Sequence, residues 1–196
     1  FKISNLKFSE QFIQSLAIIK RNAAKVNFKL GLINKDVSDL IVSVTNEISD
    51  GSYSDEFVID IFQTGSGTST NMNMNEVIAN IAAEKSGGLR GDKSIIHPND
   101  HVNLGQSSND VIPTAMHLAL IQSIQSKLIP SLNMMADELN TKSNEFKDVI
   151  KTGRTHLQDA TPITLGQEFH GYYGQITKGI EKLTDSSKWL SEVALG

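Results

Sequence analysis

Apolar residues recur at helical spacing along most of the chain. Phe12, Ile13, Leu16, Ile19, Ala23 and Val26 fall close to a period of about 3.6 residues. Ser9 suits the N-cap ahead of them and Gly31 the stop. A second stripe (Val37, Leu40, Ile41, Val44, Ile48) predicts a helix from about Asn34 to Gly51. Phe57 to Phe62 is mostly apolar, with Asp60 inside it, and reads as a short extended stretch. A third helix is expected to start near Ser69 or Thr70 and to end at Gly87-Gly88, followed by a loop from Leu89 to Gly105 punctuated by Gly91 and Pro98. From about Ser108 to Asn144 the helical pattern is long, interrupted by Pro113 near its start and Pro130 in its middle. Val149 to Thr152 reads as extended, Gly153 as a turn, and Thr164-Leu-Gly-Gln167 has the spacing of a capping box, opening a last helix to about Val193. The pattern describes a mainly α protein without internal repeats, with a seam near Gln106. Residues 1–106 then form an N-terminal, mainly helical domain, and residues 107–196 the long helices.

Composition narrows the function classes. The chain has 196 residues, 39% of them hydrophobic, enough for one sizeable domain or two small ones. A net charge of −4, a pI near 5.7 and the lack of a basic stripe exclude nucleic acid as a partner. The longest apolar runs, such as Met116 to Ile121, are too short to span a bilayer. The absence of cysteine rules out disulfides and thiolate metal sites and fits a reducing compartment. The chain opens on Phe-Lys-Ile-Ser, without the regions of a signal peptide, and closes on Glu192-Val-Ala-Leu-Gly196, without turn chemistry. Both ends are expected to be cuts in a longer gene product.

Three polar segments carry the candidate chemistry. Gln63-Thr-Gly-Ser-Gly-Thr-Ser-Thr-Asn-Met-Asn-Met-Asn-Glu76 places the hydroxyl and amide donors Ser66, Thr68, Ser69, Thr70 and Asn71 on a glycine loop and the start of the helix that follows. The helix N–H groups and positive dipole end then make an anion pocket. No Walker lysine follows the glycines, so a nucleoside triphosphate does not fit. Ordinary helix capping is the commoner use of such a loop. His97-Pro-Asn-Asp-His-Val-Asn-Leu-Gly-Gln-Ser-Ser-Asn-Asp110 delivers Ser107, Ser108 and Asn109 to another helix start. His97 and His101 have the spacing of a helical zinc pair, but Pro98 and Asn99-Asp100 argue against a helix there, and no metal site is expected. Turn stabilisation and ligand binding are both open for these histidines. The third segment, Lys151 to Glu168, holds Thr155 and His156 after a turn. A histidine held by a loop can move a proton in either direction near neutrality. Arg154 suits an anion clamp or, more commonly, a surface ion pair. His117 and His170 lie in helices and read as structural.

Together the segments offer uncharged donors beside helix starts and one acid/base residue. Abstracting a proton next to a carboxylate builds a second negative charge on that group. Such a reaction needs preorganised donors and a base. Elimination or addition on a dicarboxylate is the chemistry these residues suit.

The long motifs Thr64-Gly-Ser-Gly-Thr-Ser-Thr-Asn-Met-Asn-Met-Asn-Glu-Val-Ile-Ala-Asn80, His97-Pro-Asn-Asp-His-Val-Asn103, Gln106-Ser-Ser-Asn-Asp110 and Gly153-Arg-Thr-His-Leu-Gln-Asp-Ala160 resemble class II fumarases of the fumarase/aspartase superfamily, in order and over essentially the whole chain. The resemblance implies a mixed N-terminal domain followed by the first long helices of a truncated central bundle. It also implies reversible hydration of fumarate to (S)-malate without metal or other cofactor, in the tricarboxylic acid cycle. The enzyme is implied to be a homotetramer whose active sites are each shared by three subunits, in the cytoplasm or, in a eukaryote, the mitochondrial matrix. By the same resemblance Ser66, Thr68, Ser107, Ser108, Asn109 and Thr155 bind substrate, and His156 acts through a bound water. His97, Asn99 and Asp100 match a second anion site, where a basic residue usual three positions before the histidine is Ser94 here.

Aspartase, an ammonia-lyase of the same superfamily, is the close competitor. Its two loops usually carry Ala and Thr where this chain has Ser66 and Ser108, which favours fumarase. A non-catalytic helical scaffold is the reading from a different class. The family's flexible serine loop, with its following Met-Pro and Lys, has no counterpart in the 196 residues. The 196-residue chain by itself is therefore expected to be inactive.

Overall fold

A computed structural model describes residues 3–195. The chain divides into two compact units, one reaching to Leu120 and taking in the residues from Val193, the other Ile121–Glu192.

The first unit is built on α1 (Glu10–Lys29), α2 (Lys35–Ser49), α3 (Thr68–Lys85) and the first part of α4 (Ser108–Ser123). The capping residues act as the sequence predicts. Ser9 Oγ accepts the Phe12 N–H at 3.3 Å, and Asn34 Oδ1 accepts that of Val37 at 2.8 Å. Gly31, with φ +72°, turns the chain after α1 in a conformation that costs other residues a Cβ clash. Leu16, Ile41, Val44, Ile48, Met74, Ile78 and Val111 are buried together. Each such side chain contributes about 1.5–3 kcal/mol through removal from water.

The buried face of α1 departs from the expected stripe. Val26 is 52% exposed, while Lys20 and Asn27 are buried with Leu16 and Ala24. The face follows the helical period from Leu16 through positions 20, 24 and 27 even though two of these residues are polar. Residues 57–62 join no sheet; the region is organised by the carboxylate in its middle. Asp60 accepts the N–H groups of Phe62 (2.9 Å), Ile3 (3.1 Å) and Ser4 (2.5 Å). These bonds, that of Phe62 foremost, hold its carboxyl below the usual range. The 89–105 loop contains one wide helical turn, Pro98–Val102, against the expectation that Pro98 would prevent it. Pro98 occupies the first position, where its missing N–H has no partner to lose.

In the second unit, α-helical bonding gives way to a wide π turn over Ile124–Leu128 before α5 (Ile129–Glu145). Pro130 lies in the first turn of α5, so the interruption predicted at the proline falls just ahead of it. Ser126 Oγ and Ser131 Oγ donate to the Gln122 and Lys127 carbonyls nearby, at 2.6 and 2.9 Å. β1 (Ile150–Thr155) and β2 (Gln158–Thr164) form an antiparallel hairpin. Its turn is His156–Leu157, both at positive φ (+49° and +61°), rather than Gly153. Gly153 lies inside β1 at a bulge, where Ala160 and Thr161 face it alone; a Cβ there would sit 2.6 Å from the Thr161 carbonyl. The capping box is present: Thr164 Oγ1 accepts the Gln167 N–H and Gln167 Oε1 accepts that of Thr164. The helix it opens, α6 (Leu165–Ser187), stops short of Val193 and ends in a 3₁₀ turn at Trp189–Ser191. Among the described residues no helix is long and apolar enough to cross a membrane.

The two units differ in what they bury. Within Ile121–Glu192 only Ala136, Gly153, Gly166 and Ser187 are buried. Met134 and Trp189 are 71% and 73% exposed. In the second unit α5 and α6 lie against each other, and tight local contacts close the corner between them. Gly166 donates to the Phe146 carbonyl at 2.9 Å and accepts from Ser143 Oγ at 2.9 Å. A Cβ on Gly166 would lie 2.7 Å from Lys147 Cα and still closer to the Ser143 carbonyl, both backbone. Gly166→Ala is therefore expected to cost about 2–3 kcal/mol by overpacking. Urea unfolding measures it, and an unchanged midpoint would show that the corner yields freely.

Candidate active site

The first loop owes its shape to Gly67. It takes φ +66° immediately before α3, and a Cβ there would meet Ile112 Cγ1 of α4 at 2.8 Å. Gln63 supplies the cap from outside the helix. Its Oε1 accepts the Thr70 N–H at 3.0 Å, and its Nε2 donates to Thr70 Oγ1 at 2.5 Å. Ser66 and Thr68 are exposed, their hydroxyls 2.9 Å apart. The first N–H groups of a helix have no acceptor within it, so Thr68 and Ser69 offer theirs beside these hydroxyls at the positive end of α3.

The second loop joins the first. Asn71, fully buried on α3, donates through Nδ2 to Ser108 Oγ at 2.9 Å and to Asn103 Oδ1 at 3.1 Å. Ser107 Oγ accepts the Asn109 N–H at 3.2 Å where α4 begins. Ser107 and Asn109 are exposed and Ser108 half-buried. Ser66, Thr68, Ser107, Ser108 and Asn109 thus lie on two adjoining helix starts, held by the Asn71–Ser108 bond and by the seat of Ile112 against Gly67.

Beneath them sits Lys20. Its Nζ donates to Asn103 Oδ1 at 3.0 Å and to Gln106 Oε1 at 2.9 Å, and the residue has no solvent exposure. No carboxylate pairs with it among the described residues. Burial alone lowers its pKa from the ordinary 10.5 to about 7. Asn27, on the same face of α1, donates to the Leu104 carbonyl at 3.0 Å.

Thr155 and His156 belong to the second unit, at the tip of the β hairpin, where both are exposed. Arg154 faces Asp159 across the hairpin, Nε to Oδ1 3.7 Å, in an exposed ion pair. Lys151 pairs with Glu168 of α6, which also accepts from Tyr172 Oη at 2.7 Å. Both bonds, that of Lys151 foremost, draw the Glu168 carboxyl below its usual range. His170 stacks near Tyr173, ring centroids 5.8 Å apart.

In the first unit His97 Nδ1 accepts the N–H groups of Asn99 and Asp100, each at 3.2 Å. That nitrogen is therefore the unprotonated one, and Asp100 Oδ2 at 3.4 Å makes no ion pair with it. His101 Nδ1 accepts the His97 N–H at 2.9 Å. Among the described residues no group of three His, Asp or Glu is placed to hold a metal. A cleft of about 230 Å³ in the same unit is lined by Lys7, Phe8, Glu10, Asp55, Phe57 and Thr70 among others. It contains none of the five donor residues of the two loops, so its size does not make it the site.

Sequence reasoning gave no role to Lys20, Gln63, Asn103 or Gln106, and took Asn71 only as one of the donors on the first loop. A signal existed for two of them. Lys20 follows Leu16 by one helical turn on an apolar face, and Asn71 and Asn75 alternate with Met72 and Met74 on α3. A polar residue at a buried helical position must find a partner.

A family model described as "Lyase" matches residues 2–196. The class II fumarate hydratase of Halobacterium salinarum is 52% identical over 196 residues, all of this chain but 42% of that protein. The solved class II fumarase from Schistosoma mansoni is 44% identical with a TM-score of 0.92, over 98% of this chain and 41% of that one. A "fumarate lyase:delta crystallin" from Brucella melitensis is 43% identical with a TM-score of 0.94, over 98% of this chain and 45% of that one. The chain spans about 42% of the length of the curated relative.

The Lys20 environment sets a pH dependence. Unfolded, the side chain keeps its proton up to about 10.5; folded, it releases it near 7. Between those values the unfolded chain binds more protons, so this group makes stability rise with pH. Below 7 both states are charged, and the full penalty, about 5 kcal/mol, stands. Lys20→Met should remove this slope. Comparing urea unfolding at pH 6.5 and 9, the native protein should gain about 3 kcal/mol relative to the variant. Parallel pH profiles would refute the assignment.

Proposed function

The chain belongs to the lyase family, and on that premise we propose that it supplies the substrate-binding loops and the acid/base histidine of a class II fumarate hydratase, which hydrates fumarate reversibly to (S)-malate. The observation that carries the reading is the joining of two hydroxyl-bearing helix starts through the Asn71–Ser108 bond. Addition of water passes through a carbanion-like intermediate in which one carboxylate takes on aci character and a second negative charge. Ser66, Thr68, Ser107, Ser108 and Asn109 offer that charge fixed, uncharged donors at two positive helix ends, so no reorganisation is needed as it develops. Thr155 adds a further hydroxyl. His156, exposed on a tight turn, moves a proton through a bound water. The reaction so described uses no cofactor.

In this reading residues 1–106 are the N-terminal domain and 107–196 begin the central bundle of a homotetramer, each active site drawing its loops from three subunits. The small buried core of Ile121–Glu192 and the exposed Met134, Met135 and Trp189 support it, since apolar helix faces of this kind need covering. His97, Asn99 and Asp100 form the second anion site, to which His97 offers its Nε2–H while Nδ1 keeps its two backbone bonds. The enzyme works in the cytoplasm, or in a mitochondrial matrix, within the tricarboxylic acid cycle. Ser66 and Ser108 favour fumarase over aspartase.

A coupled assay on the full-length protein tests the proposal. Malate should form from fumarate, His156→Asn should lower kcat by about a hundredfold, and the 196-residue polypeptide alone should form none. Ammonia release from aspartate without fumarate hydration would overturn it in favour of the ammonia-lyase.

A further inference from the structure

We propose that Lys20 is a positioning residue for the second substrate-binding loop: with the backbone carbonyls that take their NH₂ protons, it fixes which way the Asn103 and Gln106 amides face and, through Asn71, makes the Ser108 hydroxyl a donor toward the substrate carboxylate. The inference rests on the fumarate reading of that loop. Lysine Nζ in this contact acts only as a donor, so both amides must turn their oxygens to it, at 3.0 and 2.9 Å. Their NH₂ groups then face outward. Asn103 Nδ2 donates to the Gln106 carbonyl at 3.1 Å and Gln106 Nε2 to the Val102 carbonyl at 2.9 Å, which closes the turn leading to Ser107.

The polarity passes onward. Asn103 Oδ1 has a second lone pair, which takes one proton of Asn71 Nδ2 at 3.1 Å. The other proton of that amide goes to Ser108 Oγ at 2.9 Å. Both Asn71 protons are thereby assigned, and the Ser108 oxygen is an acceptor toward the protein. Its own proton must be given elsewhere, and an oxygen already accepting a bond makes its hydroxyl the stronger donor. Without Lys20 the Asn103 amide keeps its sense only through its bond to the Gln106 carbonyl; if that yields and the amide flips, Asn71 and Ser108 can reverse in turn. Asn27 anchors the same loop through the Leu104 carbonyl but imposes no such polarity.

Steady-state fumarate hydration by the full-length protein tests this in four variants, Lys20→Met, Asn71→Asp, Ser108→Ala and the Lys20→Met/Ser108→Ala double. Asn71→Asp keeps the shape of asparagine while turning the donor that faces both Ser108 Oγ and Asn103 Oδ1 into an acceptor. Lys20→Met and Asn71→Asp should each raise KM about tenfold, the scale of one hydrogen bond, with kcat little changed. On the Ser108→Ala background, Lys20→Met should add less than about twofold, because its effect runs through that hydroxyl. If Lys20 only supports the fold, Lys20→Met will reduce the active fraction and so kcat, leave KM unchanged and add fully to Ser108→Ala; that result overturns the inference. Should Lys20→Met not fold, a wild-type KM in Asn71→Asp overturns it as well. A wild-type KM in Ser108→Ala would instead overturn the fumarate reading of the loop, and the inference with it.

Discussion

A lysine with no carboxylate partner among the described residues is buried in the first unit, and the candidate site is built around satisfying it. Lys20 is fully buried, and its two acceptors are the side-chain amide oxygens of Asn103 and Gln106. Burial pulls its pKa to about 7, and both of its contacts are donated bonds. The arrangement draws the 103–106 turn onto α1, assisted by Asn27, and so delivers Ser107, Ser108 and Asn109 to the start of α4 beside α3. An apolar residue at position 20 would make a more stable core, because a buried polar group earns little net stability for its desolvation. What Lys20 contributes is direction: a fixed sense for each amide between α1 and the Ser108 hydroxyl.

Much of the fold was legible because helices announce themselves through period and caps. Ser9, Asn34 and the Thr164–Gln167 box stand where local chemistry requires them, and the apolar stripe of α2 is the one that is buried. The failures share a cause, which is that periodicity counts apolar residues and long-range polar pairing is invisible to it. On α1 it chose Val26 over Asn27, since nothing local shows that Leu104, 77 residues away, will supply a carbonyl. At the hairpin it chose Gly153 as the turn, because glycine is the usual residue at positive φ; the turn fell on His156–Leu157, and the glycine was needed where the Thr161 carbonyl comes close. Of the site, the exposed hydroxyls could be read from glycine loops preceding helices. The pairing of Lys20 with its amides could not, since Lys20 meets Asn103 and Gln106 across 83 and 86 residues.

The two units carry different burdens. The first holds a buried apolar core and two donor loops fixed by packing and buried hydrogen bonds. The second holds Thr155 and His156 on a hairpin, on helices that bury almost nothing of their own. In the proposed reading, with His156 as the acid/base residue, other copies of the chain would complete such an element, and catalysis would depend on assembly. A site so divided would need rigid loops on the side that binds charge, and the two loops of the first unit are fixed by the bonds of Lys20 and Asn71.

The most direct test of the account is a crystal structure of the full-length protein with malate bound. One malate carboxylate should lie within hydrogen-bonding distance of Ser108 Oγ and of its neighbours Ser107 and Asn109, with Asn71 still donating to Ser108 and with His156 at the same ligand. Malate bound away from these hydroxyls, or at a Ser108 whose proton is turned back toward Asn71, would contradict it.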